Sequence, residues 1–252
     1  MGGSRGRTGA FRREPGSSPS LVFIHGAAES AGVYDRLLDA IPGFARYAIN
    51  LPGRAGSDGP PLEAVASLAD WLAEFVNTEI EGRYVLVGHS LGGAIALEHA
   101  ISGSSERLAG LVLLSTGARL RVHPFILELH EQAAHSGGEL PPLAPGLYEE
   151  GADPTLLAEA NRYRALTPAT TGASDWRAAD TFDRILDLAS VEVPALIVAG
   201  SDDTLTPPKY AEYMASHIVG SELHLLDGGR HMLIMERPSE LAPLITRFVE
   251  RL

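Results

Sequence analysis

The chain contains no cysteine. That absence excludes disulfides, a thiolate nucleophile and cysteine-ligated zinc, and it leaves the compartment open because cysteine-free proteins occur in every one. Positive charge is also short: 20 Lys and Arg stand against 32 Asp and Glu, a formal net charge of -12 at pH 7. Such a surface repels nucleic acid and anionic lipid, so the expected partner is a small molecule. No apolar run approaches the roughly 18 residues that a membrane-spanning helix requires. The start "MGGSRGRTG" is basic and Gly-rich with no apolar signal core after it, and residues 1–9 read as a frayed tail. A cytoplasmic protein is the default expectation. The oligomeric state is open.

What is present is apolar material for one sizeable core: 252 residues, 45% of them hydrophobic. Short apolar or β-branched runs at 20–26, 84–90, 110–117 and 194–203 each stop at or near glycine, and weaker ones lie at 46–53 and 221–229. Runs that are continuously apolar, with no alternation, belong to a parallel sheet covered on both faces. Helical patterns at 62–80, 91–101, 207–218 and 238–252 fall between or after them, so the chain reads as repeated βαβ units. Residues 119–190 break the rhythm, with helical signals (124–135 and 154–165 the clearest), many prolines and glycines, and no convincing strand. The expected organisation is therefore a core in two parts, 1–118 and 191–252, with 119–190 inserted as a helical cap over the C-terminal edge of the sheet.

Gly88-His89-Ser90-Leu91-Gly92 fits G-x-S-x-G, with a strand pattern before it and a helix pattern after it. In that context the turn holds the serine in a strained conformation and aims its hydroxyl at the open top of the sheet. Gly88 and Gly92 let strand and helix approach closely. A serine hydroxyl is a poor nucleophile at neutral pH and needs a base, and the base needs a carboxylate that fixes its tautomer. Asp203, after the apolar run 195–200, and His231, in the Gly-rich stretch beyond the last strand pattern, follow Ser90 in the order Ser, Asp, His. Asp202 is the rival acid. Of the nine histidines, His25 and His89 sit beside backbone turns, His224 within a strand pattern, and His99 and His217 on helices. His123, His130 and His135 lie in the cap without metal-ligand spacing.

With "FIHG", "GHSLGG", "GSDDTLTP" and "GGRHMLIMERP" in this order, nearly the whole chain resembles the α/β-hydrolase superfamily. The resemblance implies a mostly parallel sheet flanked by helices, one edge strand fewer than usual, about seven in all. The family's G-x-x-D-x-x-x-P spacing aligns Gly200, Asp203 and Pro207 and favours Asp203 over Asp202. The His25-Gly26 pair implies that the backbone N–H of Ala27 joins that of Leu91 in an oxyanion hole. "LPGRAGSDGP" resembles a family loop, but Asn50 stands where an aspartate is usual and Ala55 where a glycine is usual. His25 is expected to tie loops together by hydrogen bonds and to transfer no proton.

The resemblance implies a serine hydrolase that cleaves a carboxylic ester through an acyl-enzyme on Ser90, with no cofactor and no metal. The same triad also serves carbon-carbon, thioester and lactone cleavage or a lyase reaction, and a ligand receptor on this fold is the non-enzymatic alternative. Candidate substrate contacts are Gly26, Ala28, Leu205 and Met232, with Phe125 and Trp176 from the cap. Ile126, Leu129, Leu143, Leu147, Tyr148, Leu156 and Leu157 are the further apolar candidates for an acyl pocket.

Overall fold

The computed structural model describes residues 11–54, 56–103 and 106–252, so the tail expected over residues 1–9 and the Ala55 departure lie outside the described residues. The strands are β1 (Phe11–Glu14), β2 (Ser17–Ile24), β3 (Phe44–Ile49), β4 (Tyr84–His89), β5 (Leu108–Leu114), β6 (Ala195–Gly200) and β7 (Ser221–Leu226). They form a single sheet in the order β1-β3-β2-β4-β5-β6-β7. Among the described strands only β1 is antiparallel, pairing with β3 at one edge. Residues 11–14 supply that edge strand, and the described strands form the expected seven-stranded, mostly parallel sheet.

The continuous apolar runs owe their character to burial on both faces. In β2, Val22 and Ile24 face one core while Leu21 and Phe23 face the other; in β4, Leu86 opposes Val85 and Val87 in the same way. All seven of these side chains are fully buried. Each stabilises the fold by about 1.5–3 kcal/mol relative to exposure. Helices α2 (Val65–Glu79), α3 (Leu91–Ile101) and α7 (Pro208–His217) cover the first face. Helices α1 (Asp35–Ala40), α8 (Leu233–Glu236) and α9 (Pro238–Val249) cover the second.

Between β5 and β6 the chain leaves the sheet and forms α4 (Pro124–Ser136), α5 (Pro154–Arg164) and α6 (Ala169–Thr181). Local chemistry starts the first two. A proline opens each helix, and the preceding residue, His123 or Asp153, accepts the orphan N–H of Phe125 or Thr155 with its side chain. Gly137 ends α4 in the left-handed conformation. An isolated antiparallel bridge, Arg119 to Asp183, closes the base of the excursion. Helices α4 and α6 pack on each other. Two elements were not anticipated: α1, which follows a 3-10 turn at Ala31–Tyr34, and the four-residue α8. Both are too short to display a helical period. Among the described residues no helix is long and apolar enough to cross a membrane.

Candidate active site

Ser90 is the single residue between the end of β4 and the start of α3. Its φ of 52° with ψ of -118° is a conformation that L side chains rarely adopt. Hydrogen bonds hold it there from both sides. The Ser90 N–H donates to the Leu114 carbonyl at 3.0 Å, and its carbonyl accepts from Gly93 N–H at 2.9 Å and from the Thr116 hydroxyl at 2.7 Å. The glycines are a steric requirement of the same turn. A Cβ on Gly92 would stand 2.0 Å from the Ile24 carbonyl oxygen, and one on Gly88 would stand 2.3 Å from the Gly92 carbonyl oxygen.

Asp203 and His231 arrive on the loops that follow β6 and β7, at the same C-terminal edge of the sheet. The His231 Nδ1 lies 2.8 Å from the Asp203 Oδ2, and both side chains are almost wholly excluded from solvent. The Asp203 carboxylate is satisfied on every side: Oδ1 accepts from the N–H groups of Leu205 and Thr206 at 2.8 and 2.9 Å, and Oδ2 also accepts from the Thr206 hydroxyl at 2.8 Å. Burial pushes the carboxyl pKa up, but the charge and hydrogen bond of His231 and the Thr206 donors outweigh it and leave it below the usual value. The Asp202 side chain is exposed and accepts from the hydroxyl of its neighbour Ser201, at 3.0 Å. The acid beside the imidazole is therefore Asp203.

The loop after β2 carries three consecutive N–H groups with different fates. Gly26 donates to the Glu29 Oε2 at 3.0 Å and Ala28 donates to the Asp175 Oδ2 at 2.9 Å. Between them, the Ala27 N–H has no acceptor among the described residues, and neither has the Leu91 N–H at the first turn of α3. His25 serves as a loop tie. Its Nδ1–H donates to the Gly26 carbonyl at 2.8 Å, and its Nε2 accepts from Leu51 N–H at 3.2 Å and from Arg54 at 3.1 Å. Burial and the neighbouring Arg54 charge hold its pKa well below the ordinary value, so the ring is neutral. Asn50, the departure from aspartate, accepts from Ala31 N–H at 2.7 Å and so keeps that loop in contact with β3.

Ser90, His231 and Ala27 line one cavity of about 690 Å³, roofed by the helices between β5 and β6. Gly26, Ala28, Leu205, Met232, Phe125 and Trp176 all line it, as do Ile126, Leu129, Leu143, Leu147 and Tyr148. Leu156 and Leu157 do not. The first is buried in the core that α5 shares with the 3-10 turn at Ala31–Tyr34, and the second packs on the edge of that core, because the apolar face of α5 is spent on the body of the fold. Two polar residues on the cavity wall, Glu29 and Arg164, carry no signal in the sequence, and three histidines set aside there, His89, His123 and His130, line it as well. Glu29 Oε2 sits 3.5 Å from His89 Nδ1. Burial raises its pKa, and the nearby His89 ring together with the Gly26 N–H donor reverses that, leaving it lowered. Burial pulls the His130 pKa down to about 4. No local motif marks Glu29 or Arg164, and nothing in the sequence separates Arg164 from Arg162 on the same helix.

Comparison with known proteins gives a consistent result. The chain is 27% identical over 241 residues to the pimeloyl-[acyl-carrier protein] methyl ester esterase of Nitrosomonas europaea, an alignment covering 89% of this chain and 93% of that protein. It superposes on the enol-lactonase of Burkholderia xenovorans with a TM-score of 0.87 at 20% identity, covering 96% of both chains. A thermophilic esterase from Thermogutta terrifontis gives a TM-score of 0.84 at 24% identity, over 96% of this chain and 93% of that one. The family model described as the alpha/beta hydrolase family matches residues 21–244. With that match spanning the parallel sheet from within β2 to β7, the strained Ser90 turn and the loops of Asp203 and His231, the chain belongs to the alpha/beta hydrolase family.

Proposed function

We propose that the protein is a serine hydrolase that cleaves a carboxylic ester of a small to medium acyl substrate through an acyl-enzyme on Ser90. The observation that carries this reading is the buried His231–Asp203 pair at 2.8 Å, facing the same cavity as a serine held at φ 52°. The hydrolase relatives named above bear ester and lactone hydrolysis in their names, which supports the same class of bond.

In this reading the Nδ1–H of His231 donates to Asp203, so Nε2 is the free base. It takes the Ser90 hydroxyl proton as Oγ attacks the ester carbonyl carbon, and the carbonyl oxygen becomes an oxyanion facing the N–H groups of Ala27 and Leu91. The intermediate collapses as the imidazolium returns its proton to the departing alkoxide. Water then surrenders a proton to His231 and attacks the acyl-enzyme, releasing the acid and restoring Ser90. A missing oxyanion donor costs roughly two to three powers of ten in comparable sites. The segment 119–190 acts as the cap that shapes the acyl site.

A fluorophosphonate probe tests the nucleophile directly. Labelling of the wild-type chain at Ser90, with turnover of p-nitrophenyl esters of varied acyl length, is the expected result. Labelling at another residue, or no labelling with no turnover, sinks the assignment.

A further inference from the structure

The wall of the cavity is mostly apolar, yet one guanidinium stands in it. Arg164, the last residue of α5, lines the cavity, whereas Arg162 two positions earlier on the helix has 71% of its side chain in solvent. One Arg164 donor, Nη2, reaches the Pro141 carbonyl at 2.9 Å. Among the described residues no carboxylate lies within ion-pairing distance of the group, and its other N–H donors have no protein acceptor. The anion that acts on its charge, Glu29, and the uncharged Tyr148 hydroxyl line the same cavity and are already engaged. Glu29 accepts from Gly26 N–H at 3.0 Å, and the Tyr148 hydroxyl reaches the Met235 sulfur at 3.5 Å.

A half-buried cation without a paired anion is unfavourable, and burial lowers its pKa accordingly, although a guanidinium stays charged at any ordinary pH. In a chain of net charge -12, a lone guanidinium on the wall of a substrate-sized cavity has the chemistry to receive an anion from a ligand. Its planar fork matches a carboxylate. Glu29 adds polarity to the site. A Cβ on Gly26 would lie 3.0 Å from the Glu29 Oε2 and 3.2 Å from the Ser90 Cβ, so the Glu29 charge is close to the reacting end and repels an anion from there. The Glu29 charge disfavours a carboxylate beside the reacting carbonyl, whereas at Arg164 the guanidinium offsets that charge, so the negative group is placed at Arg164 and away from the bond that is cut.

We infer that Arg164 forms a carboxylate-recognition subsite in this cavity, and that the preferred substrates are esters bearing a carboxylate remote from the scissile bond. The identity of the bond rests on the hydrolytic reading above; binding to Arg164 does not. A carboxylate on the acyl side makes the substrate a half-ester of a dicarboxylic acid, and one on the alcohol side makes it an acylated hydroxy acid.

Two measurements test it. In the first, monomethyl adipate and methyl hexanoate are titrated calorimetrically into Ser90→Ala, with and without Arg164→Gln. The half-ester is expected to bind about tenfold to a hundredfold more tightly, the range a charge-assisted hydrogen bond supplies, with Arg164→Gln erasing the difference and Arg164→Lys keeping part of it. In the second, the ratio of kcat/KM for monomethyl succinate, glutarate, adipate and pimelate to that for the matched neutral methyl esters is measured. 4-Hexanoyloxybutanoate against butyl hexanoate forms the alcohol-side arm. A preference in either arm that collapses in Arg164→Gln supports the subsite and says which side carries the charge. Equal binding of charged and neutral ligands, or a preference that survives Arg164→Gln in a variant whose thermal unfolding matches wild type, overturns it. If no ester is turned over at all, the hydrolytic reading fails while the binding measurement still decides the role of Arg164.

Discussion

Asp175 on α6 and Arg54 on the loop after β3 form an ion pair of 2.6 Å with both side chains almost wholly excluded from solvent. The same carboxylate oxygen accepts the Ala28 N–H at 2.9 Å, and the same guanidinium reaches the His25 Nε2 at 3.1 Å. One buried contact thus connects the inserted helices, the loop after β2 and the loop after β3. Burial is the largest influence on the Asp175 carboxyl and outweighs the attraction of Arg54, leaving its pKa raised.

Asp175→Ala is expected to cost about 3–5 kcal/mol, because it strands the Arg54 charge in the interior. It also removes the acceptor that orders the peptide after Ala27, so ester hydrolysis should fall with it. Urea unfolding and kcat for the single variant, compared with the double variant Arg54→Met/Asp175→Leu, check both parts. The double variant should recover stability but not full activity.

Ser90→Ala is expected to fold normally and lose activity by roughly four powers of ten or more, since the nucleophile is removed while binding groups stay. Hydrolysis at the wild-type rate by this variant, measured on any ester the parent turns over, would refute the assignment.

Thr206→Val deletes a donor to the Asp203 Oδ2 that His231 also uses, and keeps the side-chain volume. Losing a hydrogen bond to a charged group costs about 1.5–3 kcal/mol, so kcat/KM should fall by about tenfold or more. Asp203 should titrate at higher pH in the variant. An unchanged acid limb in the pH-rate profile contradicts this.

Stability should fall as the solution is acidified from about pH 6.5 towards pH 4. His99 and His130 are buried and their pKa values are lowered from 6.5 to about 4, mainly by burial. In that window the unfolded chain binds protons that the native chain refuses, and this favours unfolding. Each histidine contributes roughly 3 kcal/mol at most. Denaturant midpoints across pH 4–8 should show the slope, and His130→Gln should reduce it. A flat profile contradicts the prediction.

The strand and helix order was legible because each element carries its own period or its own glycine stop, and the Ser90 turn because its requirement for glycine at 88 and 92 is steric and local. The resemblance to the family's G-x-x-D-x-x-x-P pattern favours Asp203 over Asp202, and in the structure it is Asp203 that lies 2.8 Å from the His231 Nδ1. Asp35–Ala40 was missed because six residues show less than two helical turns.

Other features depend on where remote segments meet. Leu156 and Tyr148 looked equally suited to a pocket, yet one is core and the other is wall. Arg162 and Arg164 are the same residue type two positions apart on one helix, and the helical turn sends one to water and the other into the cavity. The chain alone settled its layers and its Ser90 turn, because those follow from chemistry within a few residues, and resemblance to the family supplied the order of its candidate triad. Tertiary structure alone decided which charges are buried together and which one lines the cavity, because such contacts join positions more than a hundred residues apart, such as Arg54 and Asp175, that only packing brings within bonding distance.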